Sequence, residues 1–195
     1  MQSRQQFENG AAAGPGPWCA LYTRHQHEST VAKILTTKGV NVFLPTYRTL
    51  RRWKDRNKQL VLPLFPGYVF CTYESERRIQ ILSTPGVHQI VTNGGNLPAE
   101  IPSDEIHAIR RAVESPLRLE PHPYLKGGDV VRIKSGPLEG LEGIVSRSKD
   151  AFRVVLSVEM LGKSAAVDID AASVERIRSG SSSGSNCSTS GVRLS

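Results

Sequence analysis

Apolar positions in the first half of the chain switch between two periods. "WCALYT" (18–23) alternates and is aromatic-rich, which predicts a strand. From Glu28 to Lys38, Val31, Ile34 and Leu35 fall at i, i+3 and i+4, and Gly39 follows as a stop, which predicts a helix. "VNVFLP" (40–45) reads as a second strand and residues 46–62 as a protruding hairpin. "GYVFCTY" (67–73) is a third strand, after which Ser75 can cap a short helix carrying Ile79 and Leu82. "VHQIV" (87–91) alternates again. Pro102-Ser103 opens a last helix with Ile106, Ile109 and Val113 on one face. Asp104 and Glu105 in its first turn and Arg110-Arg111 near its end suit the helix dipole. The layout is α+β: an antiparallel sheet with helices on one side, of the ferredoxin-like kind.

The pattern changes after residue 128. "VVRI" (130–133), "GIVSR" (143–147), "FRVVLSV" (152–158) and "SAAVDI" (164–169) are short alternating runs broken by glycines. Such short strands in so little chain predict a small SH3-like β-barrel, which hides its edges. Between the two patterns, "SPLRLEPHPYLKGG" carries Pro116, Pro121 and Pro123. The expected organisation is a tail (1–17), a first domain (18–114), a linker (115–127), a second domain (128–178) and a second tail (179–195). Both tails are rich in small or polar residues and are expected to stay disordered.

Composition narrows the class. The 195 residues are 38% apolar and 22% charged, within the globular range. No run approaches the ~18–20 apolar residues of a membrane span, and the N-terminus lacks the apolar core of a secretory signal. Cys19, Cys71 and Cys187 are odd in number and far apart, so neither a disulfide framework nor a zinc site is expected, and a reducing cytoplasm is the default. His25 and His27 form a pair near Cys19 without further ligands to complete a metal site. No GxSxG, P-loop or HExxH pattern occurs, and "NGGN" (93–96) reads as a tight turn. The expectation is a monomeric protein that is not an enzyme and carries no cofactor and no metal.

Charge placement says more than the net value of +7. Residues 18–114 hold 13 Lys/Arg against 8 Asp/Glu, whereas 126–178 hold 9 against 8. Within "RTLRRWKDRNK", Arg48, Arg51, Arg52, Lys54, Arg56 and Lys58 face only Asp55. An acidic partner or a solvated hairpin tip both fit such a cluster. Just beyond it, "PLFPGYVF" (63–70) sets Pro63 and Pro66 around Leu64-Phe65, which forbids a helix and gives a rigid entry to the strand. Phe65 then either fills the core or contributes to an apolar docking surface.

The second-domain stretch "GGDVVRIKSGPLEGLEGIVSR" resembles the KOW motif. Upstream, "WCALYT", "FLPTY", "PLFPGYVF" and "PGVHQIV" occur in the order and spacing of the NusG N-terminal (NGN) domain. Together these identify residues 18–178 as resembling the NusG family of transcription elongation, antitermination and termination factors. The resemblance implies RNA polymerase binding, in which the NGN domain seats on the β′ clamp helices through an aromatic depression. By position, that surface would use Tyr22, Phe65, Tyr68 and Phe70, with Pro66 and Gly67 shaping the bend. Alternation puts Tyr68 and Phe70 on one face, and one of them can equally be core.

A family contact with the β-subunit gate loop would fall on "ERRIQ", with Arg77, Arg78 and Gln80 as the nearest candidates. The His-Thr-Thr run that the specialised paralogue RfaH uses there is absent. The basic hairpin lies where family members approach the non-template DNA or nascent RNA, its cations suited to phosphates. Trp53 would stack on a base or pack across the hairpin. In the KOW domain, Leu138, Leu141, Met160 and Leu161 stand where the family recruits Rho or ribosomal protein S10. The basic hairpin and the form of "PLFPGYVF" lean toward an operon-specific antitermination paralogue similar to RfaH. The competing reading is an RNA-binding or ribosome-associated KOW protein that does not act on polymerase. It would concentrate its positive charge in the barrel, which is instead nearly neutral.

Overall fold

The computed structural model describes residues 16–53, 56–124, 128–148 and 151–178. The expected tails thus lie outside the described residues except for Gly16 and Pro17. From the N-terminus run β1 (Trp18–Thr23), α1 (Glu28–Thr37), β2 (Val42–Phe43) and a hairpin of β3 (Thr46–Trp53) and β4 (Arg56–Pro63). There follow β5 (Tyr68–Thr72), a 3-10 turn (Ser75–Arg77), α2 (Arg78–Leu82), β6 (Val87–Ile90) and α3 (Ser103–Glu114). The first sheet has the order β2-β5-β1-β6, with every ladder antiparallel.

Strand alternation divides the apolar residues of this sheet between two cores. In the β1/β5 register Cys19 faces Cys71 and Leu21 faces Val69, while Ala20 faces Phe70 and Tyr22 faces Tyr68. The first set joins Val31 and Leu35 of α1 and Ile81 of α2 in one buried cluster. Trp18, Ala20 and Phe70 belong to the other cluster, with Ile106, Ile109 and Ala112 of α3. Helices therefore cover both faces, which corrects the one-sided expectation. A second face holding Trp18 and Phe70 is too apolar to leave in water. Full burial of each such side chain contributes about 1.5–3 kcal/mol.

A smaller correction concerns α2. Ile81 is its buried residue, while Ile79 is 80% and Leu82 is 38% exposed. The tighter 3-10 turn ahead of α2 shifts the phase of the helix.

The second sheet comprises β7 (Leu119–His122), β8 (Val130–Ile133), β9 (Glu142–Ser148), β10 (Ala151–Val158), β11 (Lys163–Asp168) and β12 (Val174–Arg178). Its order is β12-β8-β9-β10-β11-β7, again antiparallel throughout. β7 arises inside the stretch expected to be a linker. Pro121 sits opposite Ala165 on this end strand, where a missing N–H is tolerated. Arg153 of β10 helps hold it there: it pairs with Glu120 at 3.2 Å and with Asp168 of β11 at 2.8 Å, while Glu120 also pairs with Arg118 of its own segment at 3.0 Å.

The two sheets are packed together. Leu138, Val154, Leu156 and Val158 of the second module belong to the same apolar cluster as Phe65, Phe70 and the buried face of α3. Polar contacts flank this seam. Arg111 Nη2 donates to the carbonyls of Pro137 at 3.0 Å and Glu139 at 2.9 Å. From the other side, the Glu159 N–H donates to Glu105 Oε2 at 3.2 Å.

Candidate docking face

The centre of the candidate face is a tight turn. Tyr68 N–H donates to the Phe65 carbonyl at 3.1 Å, with Pro66 and Gly67 between them and Gly67 at φ +83°. Proline at the second position and a positive φ at the third make this a type II turn, so Pro66-Gly67 is a conformational requirement. Two further bonds fix it: Gly67 N–H donates to Glu28 Oε1 at 2.8 Å, and Thr23 N–H donates to the Gly67 carbonyl at 2.8 Å. Glu28 is buried at the start of α1 and ties that helix to the turn. A Cβ at Gly67 would lie 3.4 Å from Tyr22 Cε2, so the Tyr22 ring lies close over the turn.

The turn sorts the predicted aromatics into two groups. Tyr22 is 43% exposed and Tyr68 partly so, their ring centroids 5.6 Å apart, and His88 lies 5.7 Å from Tyr22 on the other side. These three rings form an open ledge. Phe65 and Phe70 are only 2% and 0% exposed. They meet edge to face at 5.8 Å, and Phe43 backs Phe70 at 6.2 Å. The expectation that all four rings offer surface is thus corrected: Phe65 and Phe70 lie sealed in the core, while Tyr22 and Tyr68 remain available. Pro66 is exposed at the tip and Gly67 is buried.

Arg110 does more than complement the helix dipole. Its guanidinium lies 5.0 Å from the Phe43 centroid and 5.8 Å from that of Trp18, a cation–π contact that ties α3 to the sheet. Glu28, His88 and Arg110 are all absent from the sequence-based site. An acid opening a helix is an ordinary signal, and nothing local announces that it reaches a backbone N–H 39 residues away.

The other predicted sites fare differently. Arg77 is committed inside the module, pairing with Glu74 at 2.6 Å and donating to the Gly39 carbonyl at 2.9 Å beyond the end of α1. Arg78 donates to the Asn96 carbonyl at 3.3 Å, and the Gln80 carbonyl accepts from Lys38 at 3.1 Å. Along the hairpin, Arg48 and Lys58 are exposed. Lys54 lies outside the described residues, as do the side chains of Arg51, Arg52, Trp53 and Arg56. In the second module Leu138 is buried against α3, and Leu141 and Leu161 are partly buried on the same cluster. The loop read as a partner site is therefore occupied by the protein itself. The Met160 side chain lies outside the described residues.

Among the described residues, two groups show perturbed proton affinity. Burial raises the pKa of Glu105, an effect opposed by its bond from the Glu159 N–H and reinforced by the nearby Glu159 charge. Cys19 and Cys71, remote in sequence, are opposed across β1/β5 with Sγ atoms 3.7 Å apart and are free thiols. The Cys19 hydrogen bond and burial push the Cys71 thiol well up, so it stays protonated and unreactive. Among the described residues no group of three or more His, Cys, Asp or Glu could hold a metal. Among them, too, no helix is long and apolar enough to cross a membrane.

Residues 16–110, which include the turn, the ledge and most of α3, match the family model "NusG: Transcription termination factor nusG". Those residues form a NusG-family domain. The transcription termination/antitermination protein NusG of Staphylococcus aureus strain Mu50 is 26% identical over 181 residues, covering 84% of this chain and 97% of that relative. A solved structure described as "Domain interaction in Thermotoga maritima NusG" superposes with a TM-score of 0.50 at 24% identity, covering 83% of this chain and 97% of that one. The structural likeness establishes the shared NusG fold. The family is one of transcription termination and antitermination factors, not of enzymes.

Proposed function

We propose that this chain is a cytoplasmic transcription elongation regulator that binds RNA polymerase through the Tyr22–Tyr68–His88 ledge. The carrying observation is that ledge: two tyrosines and a histidine set ring beside ring on a NusG domain, next to a turn fixed by three hydrogen bonds. Rigid aromatics of this kind lose water together on docking and supply most of an interface's affinity. The β′ clamp helices are the partner of choice, with a lesser contact to the β gate loop near α2. The basic hairpin extends toward non-template DNA or nascent RNA. Bridging these elements disfavours pausing and termination. Phe65 and Phe70 act from behind, as the floor that keeps the turn and Tyr68 in place.

The second module recruits a further factor, Rho or ribosomal protein S10, through the loop around Leu138. That loop now packs on α3, so recruitment requires the seam to open. The shared apolar cluster and the Arg111 bonds across the seam support a closed resting form.

The test is a pull-down of core RNA polymerase with the wild-type protein and with Tyr22→Ala/Tyr68→Ala. Loss of two ring contacts is expected to weaken binding at least about tenfold. Wild-type binding by a folded double variant would overturn the reading.

A further inference from the structure

A groove of about 440 Å³ runs along the side of the molecule where three segments meet. The base of the hairpin contributes Tyr47, Arg48 and Val61, the end of α3 contributes Ala112 and Val113, and the segment entering β7 contributes Leu117, Arg118 and Leu119. Its size falls within the ~300–1,000 Å³ of ligand sites. Two features mark it as unfinished. Val61 is 61% exposed, and Leu50, on the same hairpin face in the next cross-strand row, is 71% exposed. Neighbouring aliphatic side chains so exposed on one hairpin face form an apolar patch that a partner can cover. Secondly, the groove is lined by two arginines and by no acid. Arg48 is exposed without an ion pair among the described residues. The Arg118 side chain, 71% exposed, has only a solvent-screened pair with Glu120.

We propose that this groove binds a short peptide segment of a partner protein, one carrying a carboxylate beside large aliphatic or aromatic side chains. The apolar residues of that segment cover Val61, Val113 and Leu117, and its carboxylate is held between Arg48 and Arg118. A planar fork from each arginine suits a carboxylate and adds geometric selectivity. Single-stranded nucleic acid fits less well. It needs a series of flat stacking platforms, whereas this groove offers one ring, Tyr47, among branched aliphatic residues.

The probe is the acetylated, amidated hexapeptide Gly-Leu-Asp-Leu-Phe-Gly, titrated to millimolar concentration into the full chain with methyl NMR detection. The methyls of Val61, Val113 and Leu117 are expected to shift, and the Asn-containing counterpart to bind about tenfold more weakly. Arg48→Glu/Arg118→Glu, at two exposed sites and checked for folding by circular dichroism, is expected to abolish the shifts. Val61→Ser is expected to weaken binding while leaving the preference for Asp over Asn intact. Unmoved groove methyls, equal binding of the two peptides, or the same shifts from an oligothymidine would each overturn the proposal. None of these results depends on polymerase binding.

Discussion

The two faces of the β1–β5 ladder are built from alternate residues of the same strands, yet they end in different kinds of core. On one, Cys19, Leu21, Val69 and Cys71 meet α1 and α2 and form a small aliphatic cluster complete within the first module. On the other, Trp18, Ala20 and Phe70 join Phe65, α3 and the second module in a larger, aromatic cluster. A face that its own helices close leaves nothing for a partner. A face closed partly by a separate module can be reopened, and the rings left over at its margin are the ones that stay in water. Size separates Phe70 from Tyr68 less than position does: Phe70 lies in line with Ala20 beneath α3, whereas Tyr68 lies in line with Tyr22 at the end of the ladder.

This contrast can be broken at its strongest point first. Phe70→Ala removes a fully buried ring from the shared core and is expected to cost about 3–5 kcal/mol of stability, read as a lowered urea midpoint. Stability near wild type in Phe70→Ala would mean that the aromatic face does not act as a core.

Arg111→Ala is the next step down. It removes two charge-assisted bonds across the seam, a loss of about 1–3 kcal/mol of module docking with little effect on the fold of either sheet. Small-angle scattering should show a more extended particle, while amides of α1 keep their protection from hydrogen exchange. Loss of α1 protection would mean that the two faces do not behave separately.

The finest test is pH. Burial raises the Glu105 pKa when the modules are docked, so the docked form holds this proton more tightly than the open one. The stabilisation linked to that proton is fully present below the open-state pKa and is lost as pH rises through the docked-state value. Docking is therefore expected to loosen slightly as pH climbs through the carboxylate range. Glu105→Gln, which keeps an oxygen to accept from the Glu159 N–H, should flatten that dependence in the same scattering measurement. An unchanged slope would place the titrating group elsewhere.

Local features were legible from sequence because they are local. The period-2 alternation of "WCALYT" and "GYVFC" marks β1 and β5, and the Pro-Gly pair marks a turn whose type follows from φ preferences alone. The candidate site was half legible for the same reason. Alternation assigns Tyr68 and Phe70 to one face and is silent on which end of that face α3 covers. β7 was missed because three prolines in fourteen residues argue against a strand, and only the free side of a sheet makes Pro121 acceptable. The Cys19–Cys71 contact depends on register between strands 52 residues apart, which spacing along the chain does not encode. Leu138 looked like a presented side chain because a short glycine-rich loop usually lies in solvent, and its burial depends on a helix from the other module.

β7 has a further consequence for how far the modules can travel. With this strand seated, only residues 115–118 remain between α3 and the second sheet. Fully stretched, that leash spans roughly 15–18 Å. A second module released from α3 therefore hovers within one domain width of the surface it left. Greater reach requires β7 to peel away and forfeit the Arg153–Glu120 ion pair, so the protein has a short-range and a long-range way of letting go.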